Sequence, residues 1–163
     1  ALNSNCDDVG GCGAGSPMKR WLRADLAAAR TTCILAYWHH PRFFSPAVYP
    51  GAHLWKVDTR MSDIGRDLQA GGTDLVLSGH RHVYERFARQ DGAGHADPSG
   101  VRQFVVGTGG GLPETFKGKA AHSQARQDRT FGVLQLTLHD SSYDWRYIPT
   151  GGTFTDSGTD TCG

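Results

Sequence analysis

The sequence predicts an α/β fold in which a βαβ unit is followed by short antiparallel strands. Two apolar runs, residues 33–38 and 74–78, flank a helical pattern, and each run ends at a histidine cluster. Beyond Glu85 the sequence changes to short alternating segments, which are typical of antiparallel sheets. The length of 163 residues and the hydrophobic content of 38% fit one domain or a large part of one.

The first predicted element is a helix over residues 16–29. Ser16 is a favourable N-cap residue, and Pro17 occupies the first helical position. Met18 and Leu22 belong to an apolar stripe at helical spacing, whereas the opposite face is basic. Basic residues at this spacing are typical of the solvated side of an amphipathic helix.

The βαβ unit follows this helix. Residues 33–38 form a short, bounded apolar run that predicts a buried strand, and residues 58–70 predict a helix that ends at Gly71. Residues 74–78 predict a second buried strand. Because the strands of a βαβ unit are parallel, the histidine clusters after the two strands should lie at the same edge of the sheet.

The remaining elements are predicted to be short strands joined by loops. The strands are expected at residues 102–106, 132–138 and 143–148. The glycine-rich residues 107–111 precede no helical pattern, so they predict a tight backbone turn rather than a phosphate-binding loop. Residues 151–163 are rich in Gly, Thr and Asp, and only Cys162 is expected to hold this tail in place.

The charge and hydropathy exclude two classes of partner. Seventeen Lys and Arg against sixteen Asp and Glu give a net charge of +1, so the chain lacks the field of a nucleic-acid or anionic-membrane binder. The longest strongly apolar run, residues 33–38, is far shorter than the about 20 residues that span a bilayer. We therefore expect neither a nucleic-acid nor a membrane partner.

The four cysteines predict disulfides in a secreted protein, because their number is even and no CxxC pair occurs. Four cysteines allow three connectivities. Cys6 with Cys12 is favoured, since Gly10 and Gly11 let the chain turn back between them, and Cys33 then pairs with Cys162. The alternative is four unpaired, buried thiols.

Three histidines are candidate metal ligands. His39 follows the first buried strand, and His80 and His82 follow the second. Imidazole is a common ligand for zinc and iron. The alternative is that each histidine is an ordinary core or loop residue, but two clusters at equivalent strand ends weaken that interpretation.

Two strings in the sequence resemble the later motifs of the calcineurin-like metallophosphoesterases, in particular the purple-acid-phosphatase-like branch. The first is Ala-Tyr-Trp-His-His-Pro at residues 36–41. The second, Gly-His-Arg-His-Val-Tyr-Glu-Arg at residues 79–86, is the more specific one. Three further segments resemble secreted bacterial members of the branch: residues 3–4, 107–110 and 143–145.

The resemblance implies a metal-dependent phosphoesterase with an α/β/β/α sandwich and a dinuclear centre of Fe, Zn or Mn. His39 and His80 would bind one metal and His82 the other, with His40 beside the site. A phosphate ester, most plausibly a monoester, would bridge the metals and be attacked by a metal-bound hydroxide. Glu85 is expected to brace the turn after the second strand.

Two weaker assignments concern acid catalysis and substrate binding. Relatives often place a further histidine after the first motif to protonate the leaving alkoxide, and His53 is the only candidate for that role in this sequence. Its alternative is a loop histidine that faces solvent. Arg81 lies between two predicted ligands, where it could contact a phosphate; the alternative is that alternation within the turn directs its side chain away.

The earlier motifs of the family, Asp-x-His, Gly-Asp-x-x-Tyr or Gly-Asp-x-x-Asp, and Gly-Asn-His-Glu or Gly-Asn-His-Asp, do not occur in this sequence. We therefore expect residues 1–163 to form the C-terminal half of a catalytic domain. The carboxylates of the N-terminal half would be absent, so the isolated chain should be inactive. The missing half, or a second copy of the chain, is the expected partner.

Two alternative functions remain open. The chain could be a non-catalytic, disulfide-stabilised fragment that acts as a binding or interaction module. It could also hold a single structural metal through His39, His80 and His82.

Overall fold

The computed structural model describes residues 1–49, 51 and 59–163. Within these residues, a short 3₁₀ turn at Cys6–Val9 is followed by the α-helices α1 (Pro17–Ala28) and α2 (Ser62–Ala70). The strands, in chain order, are β1 (Leu35–Trp38), β2 (Ala47–Val48), β3 (Leu75–Ser78), β4 (Tyr84–Phe87), β5 (Arg102–Val106), β6 (Thr115–Phe116), β7 (Ser123–Gln127), β8 (Gly132–Leu138), β9 (Ser142–Pro149) and β10 (Ser157–Thr161).

The predicted βαβ unit is present, with β1 and β3 paired in parallel. Leu35 lies opposite Leu75, and Trp38 lies opposite Ser78 at the other end of the pair. Strand β5 extends the sheet in parallel beyond β3, and β4 and β7 add antiparallel strands in the order β1-β3-β5-β4-β7. The ends of β1 and β3 therefore lie side by side, as the sequence predicted.

Each face of this five-stranded sheet is covered by a different layer. Ala36 and Val76 point to a core shared with helices α1 and α2, whereas Leu75 points to the opposite side. There it packs with Tyr143 and Trp145 of the antiparallel sheet β10-β9-β8. The alternation follows from the period of two along a strand. The result is a mixed α/β fold with a helical layer and two sheet layers.

The predicted bounds of the first helix agree closely with the structure, whereas the second helix begins later than predicted. Ser16 is the N-cap of α1, and its hydroxyl accepts a hydrogen bond from the backbone N–H of Lys19. Helix α2 begins at Ser62 and ends before Gly71, later than the predicted start at residue 58, which lies outside the described residues.

The sequence pattern missed five strands: β2, β4, β6, β7 and β10. The tail was expected to be held only by its cysteine, but β10 pairs with β9 along its whole length. Asp160 of β10 also accepts hydrogen bonds from Arg89 and Arg102. These contacts join residues that are far apart in the sequence, so a local pattern could not reveal them.

Both predicted disulfides are present. Cys6 is joined to Cys12, and Cys33 to Cys162, so all four cysteines are paired. Next to the second bridge, the carboxylate of Asp74 accepts hydrogen bonds from the backbone N–H groups of Ile34 and Gly163. The C-terminus is therefore fixed to the start of β1 both covalently and by hydrogen bonds.

Neither helix in the described part of the chain has the length and apolar character needed to cross a membrane.

Candidate metal centre

The two histidine clusters meet at one edge of the five-stranded sheet. The turns begin directly after the paired residues Trp38 and Ser78, and the N–H of Gly79 donates to the carbonyl of His39 at 3.0 Å. This hydrogen bond continues the parallel ladder by one step beyond the strands. The backbone pairing therefore places both histidine turns side by side at this edge of the sheet.

Three imidazoles converge at this edge: His39, His40 and His80. Their ligand nitrogens all lie within 4.8 Å of one another. Nε2 of His39 is 3.1 Å from Nδ1 of His80. The structure thus brings together two of the three predicted ligands and adds His40, which the sequence had assigned only as a neighbour.

His80 has an unusual backbone conformation. Its φ of 61° lies in the left-handed region, which costs energy for a residue with a Cβ. Such strain is often retained where a side chain must be directed to a site. Burial, followed by the nearby His40 and His39, lowers the pKa of His80 to about 4. The imidazole is therefore neutral near pH 7, which is the form that binds a metal.

His40 is held by Ser4 and Trp38. The Ser4 hydroxyl accepts from the backbone N–H of His40 at 3.0 Å and lies 2.8 Å from Nδ1 of the same residue. The indole N–H of Trp38 donates to the His40 carbonyl at 2.7 Å. Ser4 is only 1% exposed, and it comes from an N-terminal segment that runs beside β1. No local sequence pattern indicates this contact between Ser4 and His40.

His82 lies outside this cluster. Its Nδ1 is 3.0 Å from the carbonyl of Leu112, and the Tyr49 hydroxyl contacts both ring nitrogens, Nδ1 more closely than Nε2, from which it is 2.9 Å. Burial raises the pKa of Tyr49, so its hydroxyl stays protonated at neutral pH. The assignment of His82 to a second metal stays a prediction, and Tyr49 is a neighbour that sequence reasoning missed.

The glycine-rich residues 107–111 pack directly against the turn that carries His80 and His82. A Cβ on Gly107 would overlap the carbonyl of Arg81, and a Cβ on Gly111 would overlap the His82 ring. The tract therefore permits a close approach to the histidine turn, and its residues 109–111 form a bend.

Arg81 points into the protein. The side chain is 1% exposed, donates to the carbonyl of Ala47 at 2.6 Å and pairs with Glu114 at 2.5 Å. Burial lowers the pKa of Arg81, and it raises the pKa of Glu114 despite the opposing effect of the Arg81 charge. In this conformation Arg81 has no access to a substrate, so the predicted phosphate contact would require a rearrangement.

Glu85 braces a loop rather than the histidines. Its carboxylate accepts hydrogen bonds from the backbone N–H and the hydroxyl of Ser45, and the Ser45 hydroxyl in turn accepts from Ala120. Glu85 is fully buried. It thus joins β4 to the segment that follows His40. The other weak candidate, His53, lies outside the described residues.

The histidine donor set fits one transition-metal ion better than it fits the two ions of a dinuclear centre. Neutral imidazoles suit zinc and iron, and in the described residues the cluster contains no carboxylate. Two divalent cations close together require negative ligands to offset their charge. The described residues therefore provide a histidine face for a metal, but not the carboxylates of a dinuclear centre.

Sequence comparison places the chain beside plant phosphatases. It is 31% identical to purple acid phosphatase 18 of Arabidopsis thaliana over 129 residues, which cover 76% of this chain and 28% of that protein. It is 34% identical to purple acid phosphatase 15 of the same plant over 93 residues, or 55% of this chain and 16% of that protein. No family model matches the chain. Membership of a bacterial branch stays a prediction.

Solved structures share the fold. The purple acid phosphatase PPD1 from yellow lupin seeds matches with a TM-score of 0.74 and 22% identity, over 90% of this chain and 28% of that one. GAP50 of Plasmodium matches with a TM-score of 0.68 and 15% identity, over 93% of this chain and 46% of that one. The chain thus spans less than a third of the purple acid phosphatases named here. By its sequence and its fold, it belongs to the calcineurin-like metallophosphoesterases of the purple-acid-phosphatase type.

Proposed function

We propose that the chain is the C-terminal half of a metal-dependent phosphomonoesterase and carries the histidine ligands of its metal centre. The observation that supports this most directly is the pairing of His39 and His80 across the ends of two parallel strands, with nitrogens 3.1 Å apart. Membership of a phosphoesterase family makes a phosphate ester the natural substrate class.

The proposed roles divide the histidines between two metals. His39 and His80 would hold one metal and His82 a second, and the His82 ring contacts Tyr49 and Leu112. When bound, such metals supply Lewis-acid activation of a phosphoryl oxygen and a nucleophile at neutral pH. The chain's own contribution is to fix the imidazoles, through the buried pair of Arg81 and Glu114 and the glycine-rich turn.

The proposed partner is the other half of the catalytic domain. An open groove of about 340 Å³ lies between the two sheets beside the histidine turns. Tyr37, Val106 and Val133 are among its lining residues, and Tyr37 and Val133 are 53% and 57% exposed. Proteins rarely leave such apolar surface uncovered beside the ends of a sheet. The relatives' length beyond the matched region is sufficient for a segment that covers it.

The experiment compares the 163-residue chain alone with the same chain fused to, or mixed with, an N-terminal half that carries the family's carboxylate motifs. Release of phosphate from an aryl phosphate is measured with Zn²⁺, Mn²⁺ or Fe²⁺ and after chelation. We expect turnover only from the completed domain, and we expect the His80→Ala, His82→Ala double variant to abolish it. Chelator-sensitive turnover by the chain alone would overturn the half-site proposal.

A non-catalytic interaction module is the alternative. The same fold occurs in GAP50, which is described as an anchor, and two disulfides would hold this chain without a metal. The alternative gains support if the completed domain binds metal but releases no phosphate. The two disulfides also support a secreted protein, since such bonds persist in oxidising compartments.

A further inference from the structure

The ring of His40 lies close to the rings of both His39 and His80, and its predicted role as a neighbour of the site does not explain this. Its ring centroid lies 4.8 Å from that of His39 and 4.3 Å from that of His80. The rings are inclined at 85° and 49°, so they do not stack. Three imidazoles that approach one point from different directions are arranged as ligands would be.

The separations are close to those a metal imposes. Nitrogens at about 2.0 to 2.1 Å from a tetrahedral ion are about 3.3 Å apart. The His39 and His80 nitrogens are 3.1 Å apart, and the whole set of three lies within 4.8 Å. The set of three is therefore spaced more widely than the ligands of a bound ion, and side-chain rotations must draw the nitrogens together before one ion can bind all three.

The Ser4 hydroxyl contacts one of the two ring nitrogens of His40. Metal-bound histidines almost always donate their other ring N–H to a partner that sets the tautomer. Here the Ser4 hydroxyl lies 2.8 Å from Nδ1. If Nδ1 carries the proton and donates to Ser4, then Nε2 keeps its lone pair for a metal.

The His40 backbone is fixed independently of its ring. Its N–H donates to Ser4, and its carbonyl accepts from the Trp38 indole. Ser4 is itself nearly inaccessible to solvent, and close by the N–H of Leu2 donates to Tyr37 of β1. The backbone of the third histidine is therefore held in place before any ion arrives, which reduces the entropy lost on binding.

We infer that His40 is a third ligand to the metal held by His39 and His80, with Ser4 as the residue that positions it. This inference rests on the proposed function only in taking His39 and His80 as metal ligands. It makes the first metal position a three-imidazole site that does not depend on His82.

The test uses the full chain and zinc alone as the probe. X-ray absorption spectroscopy of the zinc-loaded chain counts the imidazoles around the ion, and competition with a chromophoric chelator gives the affinity. We expect one zinc bound by three imidazoles in the parent chain and by two in His40→Phe. Two imidazoles in the parent chain would overturn the inference, without recourse to any variant.

Variants separate the ligand from its positioning residue. Ser4→Ala should weaken zinc binding by about 10- to 100-fold while leaving three imidazoles, as loss of an orienting partner does. Ser4→Thr keeps the hydroxyl and should restore much of the affinity. His40→Phe should weaken binding at least as much as Ser4→Ala, and equal zinc affinity in His40→Phe and the parent chain would contradict our assignment.

Two controls distinguish failure of this inference from failure of the proposed function. His95→Ala, at an exposed histidine that pairs with Asp91, should bind zinc as the parent chain does. His39→Ala and His80→Ala should each lose most of the affinity. Unchanged binding in these two variants would refute the metal assignment of the proposed function, whereas weakened binding with no effect of His40→Phe would refute only the role of His40.

Discussion

Arg81 and Glu114 form an ion pair in which each side chain is 1% exposed, directly beneath the turn that carries His80 and His82. The N–H of Glu114 also donates to the carbonyl of His82 at 3.2 Å. The pair therefore connects the segment after the glycine-rich loop to the turn through both side chain and backbone. Its removal should disturb the position of both histidines.

Arg81→Met should destabilise the fold strongly, because it leaves the Glu114 carboxylate buried without its counter-charge. Loss of one partner from a buried pair costs about 3 to 5 kcal/mol in the free energy of unfolding. The Arg81→Met, Glu114→Met double variant removes both charges and should recover much of this loss. Urea unfolding of the two variants measures the difference, with Arg146→Met, at an exposed arginine of β9, as the control. A double variant less stable than Arg81→Met would show that the pair is not the source of the effect.

Gly107→Ala should displace the histidine turn, since the added methyl group would overlap the Arg81 carbonyl. We expect lower stability and weaker zinc binding. Gly109→Ala is the matched control two residues away, because a Cβ there meets no atom within 4 Å. Thermal unfolding and zinc titration of both variants check this prediction. Similar behaviour of the two glycines would mean that the close approach at Gly107 has no influence on the site.

Removal of the Cys33–Cys162 bridge should cost more stability than removal of the Cys6–Cys12 bridge. The first bridge joins residues 129 apart and the second joins residues 6 apart. On the chain-entropy model these loops correspond to about 5 and about 2 kcal/mol. Paired Cys→Ser variants, compared by chemical unfolding, give the two values. The reverse order would exclude loop entropy as the main source of the stabilisation.

Asp160 should make the stability of the C-terminal strand depend on pH in acid. Burial alone would raise its pKa, but the hydrogen bonds and charges of Arg89 and Arg102 outweigh burial and lower the pKa to about 2, from 3.8. The folded state therefore gains stability from the ionised carboxylate above about pH 4 and loses it as the pH falls towards 2.

Asp160→Asn should accordingly be less stable than the parent chain at pH 7 and nearly equal to it at pH 2. Thermal unfolding between these two values measures the convergence. Asp25→Asn changes an exposed carboxylate on α1 and serves as the control. A stability difference between Asp160→Asn and the parent chain that is constant with pH would contradict the assigned ion pairs.

The part of the fold that the sequence predicts well is the part with local patterns. Two bounded apolar runs and the helix between them place His39 and His80 at one sheet edge, and the structure agrees. The strand β10 could not be predicted in this way, since its polar residues are stabilised by Arg89 and Arg102 from distant segments.

The candidate site likewise combines features that local sequence patterns predict with contacts between distant segments that they do not predict. The histidines follow strands, so their proximity is a consequence of topology. The contact of Ser4 with His40 and that of Tyr49 with His82 join residues 36 and 33 positions apart through loops, for which no periodic signal exists. The ion pair of Arg81 is likewise a product of packing, since within the turn nothing in the sequence fixes the direction of that side chain.

The pairing of Trp38 with Ser78 has a consequence for folding fidelity. A shift of one residue between β1 and β3 would move His39 by about 3.3 Å along the sheet relative to His80 and reverse the faces of the strand. An ion held by His39 and His80, as proposed, would bind only the correct alignment, so it would selectively populate that alignment by mass action. Metal binding would thus stabilise the correct register of β1 and β3 relative to a shifted one.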